Sequence, residues 1–142
     1  MKKQFQFLAA MLMIAFLQSC APTDTVTPDT GDARDKYTGT WLFIENTAKS
    51  SLSSSYTVVI TKDPSNTSQV LLSKFGNPGP GYSPAYGIAT TGSITVPSQT
   101  YASGWQIDDG SGTLTNASTM SWTYTITAGG NIDNYQAIAT KQ

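Results

Sequence analysis

The chain of 142 residues has no histidine and one cysteine, Cys20. Without imidazole there is no Ser-His-Asp or Cys-His relay and no histidine-held haem. With a single thiol there is no disulfide inside the chain and no zinc centre of the usual nitrogen and sulfur type. Charge is scarce as well: Asp, Glu, Lys and Arg make up 12% of the residues, about half the usual share. Once Lys2 and Lys3 are set aside, six basic residues face nine acidic ones, and no Lys/Arg cluster remains. A nucleic-acid phosphate backbone therefore has nothing to bind. Any catalysis would rest on Asp, Glu, Tyr, Ser or Lys alone. Glu45 has no carboxylate partner near it in sequence for two-carboxylate chemistry. The expectation is a protein that is not an enzyme, with no catalytic residue, no cofactor and no resident metal. Asp108 and Asp109 are the one adjacent acidic pair, and turn chemistry accounts for them without calcium.

Long apolar runs are missing too. The longest, Phe7–Leu17, has eleven residues and as a helix would reach about 17 Å. A hydrocarbon core is about 30 Å thick, so the run does not span it. Lys2 and Lys3 before the run and small residues after it make a secretory signal peptide, residues 1–19. The sequence Leu17-Gln18-Ser19-Cys20 resembles the lipobox of bacterial lipoproteins. The resemblance implies cleavage before Cys20, diacylation of its thiol and acylation of the new amine. A thiol is the nucleophile that a thioether to lipid requires, and two acyl chains are what stable attachment requires. Ala21 is not the Asp that retains many such lipoproteins at the inner membrane. The resemblance thus implies the outer membrane, on the periplasmic or the surface side. Residues 20–33 then form the lipidated Cys and a Pro/Thr/Asp-rich tether. Within it, Asp24-Thr25-Val26 resembles an O-glycosylation acceptor, beside the plainer reading of an ordinary tether.

What is abundant is Thr (21) and Ser (16), which suit strands with a hydroxyl-rich outer face. The clearest strand is 119–127. Met120, Trp122, Tyr124 and Ile126 share one face, and Thr119, Ser121, Thr123, Thr125 and Thr127 the other. Further strands are expected over 40–45, 56–62, 69–73, 85–90, 93–96, part of 99–107, 112–115 and 134–141. Turns are expected at 63–66, 108–110, 116–118 and 128–131. Residues 32–38 suit a single helical turn. Eight or nine short strands in sequence make an antiparallel meander. It hides its edges best by closing into an up-and-down barrel. A two-sheet β-sandwich is the alternative.

Lys36-Tyr37-Thr38-Gly39-Thr40-Trp41 resembles the Gly-x-Trp signature on the first strand of lipocalin-like barrels. Together with "GSGTL" and "MSWTYTI" further on, it is similar, over about residues 32–142, to short bacterial lipoproteins with a lipocalin-like domain, here expected at 34–142. The resemblance implies a small all-β barrel in which Trp41 plugs the closed end. The ligand-binding candidates are Trp41, Tyr82, Tyr86, Trp105, Met120, Trp122 and Tyr124. Met120, Trp122 and Tyr124 line a small apolar pocket or simply fill the core. Phe75, Tyr82 and Tyr86 lie in a Gly/Pro-rich loop, either exposed for a sugar or peptide or folded over one barrel end; Trp105 has the same two readings. The expected function is a lipid-anchored, non-enzymatic binding or interaction module. Its partners are the membrane through the acyl anchor and a small apolar ligand, a glycan or an envelope protein. The alternative is a structural envelope component or complex subunit with no ligand.

Overall fold

The computed structural model describes residues 31–142; the segment expected to be a signal peptide, Cys20 and the expected tether up to residue 30 lie outside the described residues. A short 3-10 helix, Ala33–Lys36, comes first. Asp32 caps it, since its side chain accepts the Arg34 backbone N–H at 3.0 Å. Nine strands follow: β1 Gly39–Thr47, β2 Ser50–Lys62, β3 Gln69–Ser73, β4 Ala85–Ala89, β5 Ser93–Val96, β6 Gln99–Ala102, β7 Trp105–Asn116, β8 Thr119–Ala128 and β9 Asn131–Lys141.

Consecutive strands pair antiparallel from β1 to β5 and from β7 to β9; β9 returns to β1 and β5 pairs with β7. The result is a closed up-and-down barrel of eight strands with β6 as one extra, the lipocalin-like architecture expected from the sequence. Closure depends on the length of β7. Its first part pairs with β6 and its later part, Gly110–Thr113, with β5.

Residues 108–110 are not a turn. They lie inside β7, where the register slips by one residue between Ile107 and Asp109. Pairing with β5 and β8 overrides the local turn chemistry, and the β-bulge absorbs the extra residue. It also resets the pleat. Ile107 points inward before it, and Gly110 and Gly112 after it. The bulged Asp108 accepts the Thr127 hydroxyl at 2.7 Å. β2 is the other large difference. It starts six residues earlier than its apolar alternation suggests, because Ser50, Ser54 and Ser55 pair with β1 although they carry no hydrophobic signal.

The core is the inward face of the eight barrel strands, with Trp41, Phe43, Val58, Ile60, Val70, Leu72, Ile94 and Ile107 buried. Tyr37 closes one end. Its hydroxyl donates to the Thr90 carbonyl at 2.9 Å, and its own carbonyl accepts Trp41 Nε1–H at 2.7 Å. Gly39 sits at φ +132°, a backbone that side chains rarely adopt, so the first position of Gly-x-Trp is fixed by conformation. Lys141 lies over the Trp41 ring, 5.5 Å from its centroid. Arg34 pins the 3-10 helix to the β2–β3 turn. Its Nη1 donates to the carbonyls of Asp63 and Asn66 at 3.2 and 2.9 Å, while Nε and Nη2 grip Asp32. The Arg34 guanidinium and backbone N–H, helped by Lys62, hold the Asp32 carboxyl well below the usual carboxylate range.

Candidate functional site

The candidates named from the sequence divide between the interior and the open end. Trp41 is fully buried at the plugged end. Met120, Trp122 and Tyr124 project inward from β8 and are buried. Trp122 and Tyr124 belong to a stack of six rings. Phe43 lies 5.6 Å from both Tyr56 and Trp122; Phe75 lies 5.2 Å from Trp122 and 4.7 Å from Tyr124; Tyr135 stacks on Tyr124 at 5.0 Å. Contacts at these separations are packing contacts between rings. Gly112 makes room for them: a Cβ there would stand 2.3 Å from the Trp122 ring. Trp122 Nε1 is buried without a hydrogen-bond partner among the described residues.

Of the two readings open for Phe75, the structure takes the folded one: it is 1% exposed and part of this stack. Lys74, Gly76 and Asn77 all take positive φ, at 66°, 71° and 51°. The tight turn after β3 thereby swings Phe75 into the barrel. Burial of an aromatic ring stabilises by a few kcal/mol, which helps offset the left-handed backbone at Lys74 and at Asn77, a residue type that adopts it readily.

Above the rings sits a polar group that sequence reasoning did not bring together. Glu45 ends the inward row of β1 and is buried. Its Oε2 accepts the hydroxyls of Tyr56, at 3.0 Å, and Tyr124; its Oε1 accepts the hydroxyl of Ser54 at 2.9 Å. The two phenol oxygens are 3.0 Å apart. Burial and then the Glu45 charge push the Tyr56 pKa well above the ordinary tyrosine value, against a smaller lowering by the Tyr124 hydroxyl, and burial raises Tyr124 likewise. Both phenols stay protonated as donors. Glu45 was legible only as an acidic residue at a strand end. Its partners come from β2 and β8, nine to 79 residues away in sequence.

At the open end Tyr82 and Trp105 meet, with ring centroids 6.2 Å apart. Tyr86 is separate from them, on β4. Its N–H donates to Gln99 Oε1 at 2.9 Å and its carbonyl accepts Gln99 Nε2–H at 2.8 Å. The Gln99 amide replaces a strand where β4 and β5 part, since those strands pair only at Ile88–Ala89. Among the described residues no cluster of three Asp, Glu, Cys or His side chains forms a metal site.

Two grooves lie on the outer face. The larger, about 640 Å³, crosses β5, β7, β8, β9 and β1. Register sets its walls. Thr95, Ser111, Thr123, Gln136 and Asn46 form one row of cross-strand partners, all exposed. Asp109, Thr125 and Asn134 form the next. The second groove, about 510 Å³, shares Thr123, Gln136 and Asn46. Its far wall is Ser121, Ile138 and Ile44, again cross-strand partners. The hydroxyl face of 119–127 signalled part of this surface; the two isoleucines and the contributions of β1 and β5 became visible only with the register. No family model matches this chain, and no curated protein matches it in sequence.

Proposed function

We propose that the chain is a lipid-anchored outer-membrane lipoprotein whose barrel is a non-enzymatic interaction module acting through its outer surface. The anchor rests on Leu17–Cys20 and on the preceding apolar run. The outer-surface mode is carried by one observation. The barrel interior is taken up by six aromatic rings in mutual contact under the Glu45 network. An eight-stranded barrel has room for side chains or for one small ligand, and here the side chains take the room. Two experiments test the proposal. Fractionation finds the protein in the membrane with Cys20 and soluble after Cys20→Ala; solubility of both would overturn the anchor. Native mass spectrometry after exposure to envelope lipid extract finds the bare protein mass. A stoichiometric lipid adduct, lost on Trp122→Lys in a variant that still folds, would overturn the outer-surface mode and make the barrel a carrier.

A further inference from the structure

We infer that the paired grooves across β5, β7, β8, β9 and β1 bind a neutral, linear glycan. The inference rests on the outer-surface mode proposed above and names its ligand class.

The chemistry of the walls selects the ligand. Among the described residues, Asp109 is the one charged side chain lining either groove. A polyanion such as nucleic acid or a phosphate-rich polymer would need cations here, and the walls supply none. An acyl chain would need an unbroken apolar trough, and the Thr, Ser, Gln and Asn side chains of the walls interrupt the apolar surface here. A peptide joining by β-augmentation needs a free strand edge, and β1, β7, β8 and β9 are each paired on both sides.

A neutral sugar meets each of these terms. Its hydroxyls both donate and accept, as do the Thr and Ser hydroxyls and the Gln136 and Asn46 amides. The Thr95, Ser111, Thr123 and Gln136 side chains have no hydrogen-bond partner among the described residues. A carboxylate such as Asp109 can accept from two neighbouring sugar hydroxyls at once, a strong charge-assisted arrangement. The C–H face of a sugar ring is apolar, and the exposed Ile44 and Ile138, side by side in register, offer a matching wall. Spacing favours a chain over a single sugar. Strands lie about 4.8 Å apart, so a row over five strands presents its groups along about 19 Å.

The test uses the full-length protein in mild detergent and calorimetric titration with cellohexaose, chitohexaose and maltohexaose. At least one binds, with an affinity that does not change between low and high salt. Thr123→Arg, which fills the shared row from an exposed position, weakens it at least about tenfold. Gln136→Ala weakens it less, and Tyr82→Ala leaves it unchanged. Absence of binding by all three sugars overturns the inference. So does binding that Tyr82→Ala abolishes and Thr123→Arg spares, although the outer-surface mode then stands, with its site at the open end. A dimer that Thr123→Arg dissociates would make the grooves a self-association face, which overturns the glycan and keeps the outer-surface mode. Sugar binding lost only on Trp122→Lys overturns both.

Discussion

The two ends of the barrel meet one requirement with opposite charges. Each must cover the core and leave no buried polar group without a partner. At the plugged end a cation enters a cluster of acceptors: Arg34 reaches the carbonyls of Asp63 and Asn66, and Lys141 lies over Trp41. At the open end an anion enters a cluster of donors: Glu45 takes the hydroxyls of Ser54, Tyr56 and Tyr124. The plug is built largely by residues 32–41, next to one another in sequence. The open end is built by residues from β1, β2 and β8 and by Phe75 from the β3–β4 loop. Contiguous residues can be recognised as a motif, and dispersed ones cannot.

Substitutions sharpen the contrast. The largest effect is expected at the plug. Trp41→Ala removes a fully buried indole and should cost about 3–5 kcal/mol in urea unfolding. A loss under about 1 kcal/mol would mean that Tyr37 closes the barrel unaided. At the open end, Glu45→Leu leaves two buried phenols without their acceptor and should cost about 2–3 kcal/mol. Combining it with Tyr56→Phe and Tyr124→Phe should restore a good part of that loss, since apolar groups then meet apolar groups. Additive losses would deny the network. Arg34→Lys keeps the charge but loses the fork that reaches Asp32 and the turn together, and should lower the melting temperature by less than the two changes above. An unchanged melting temperature would show that the charge alone suffices.

Alkaline pH separates the ends without a substitution. The buried phenols at the open end have pKa values raised above the ordinary tyrosine value of about 10. Their contribution is fully present below that pH. Above it the unfolded chain releases protons that the folded one keeps, so stability falls by about 1.4 kcal/mol per pH unit for each phenol. The Tyr56→Phe, Tyr124→Phe double variant should flatten most of this decline in melts from neutral to strongly alkaline pH. Tyr37 at the plugged end and Tyr135 beside Tyr124, both raised by burial, leave a residual slope. An unaltered slope would place the titration elsewhere. The smallest effect is expected at Tyr82→Ala, where the ring is partly exposed against Trp105: under about 0.5 kcal/mol. A larger loss would make that loop part of the core.

By itself, the sequence determined the all-β meander, the plug at Gly39 and Trp41 and the inward face of β8. Each is local: a period-two pattern, a fixed φ or a run of turn residues reads within a few positions. The N-terminal Cys20 reading is local in the same way. Tertiary structure decided everything that depends on register. It turned the Asp-Asp-Gly stretch into a bulged strand, because pairing on both sides outweighs turn propensity. It drew Phe75 inward, because the barrel needed a ring there. It brought Glu45 to phenols on β2 and β8 and aligned Ile44 with Ile138 and Thr123 with Gln136. A one-residue slip would turn every one of those side chains to the other face. Register is set by the closed ring of strands as a whole, and no short stretch of the sequence carries it.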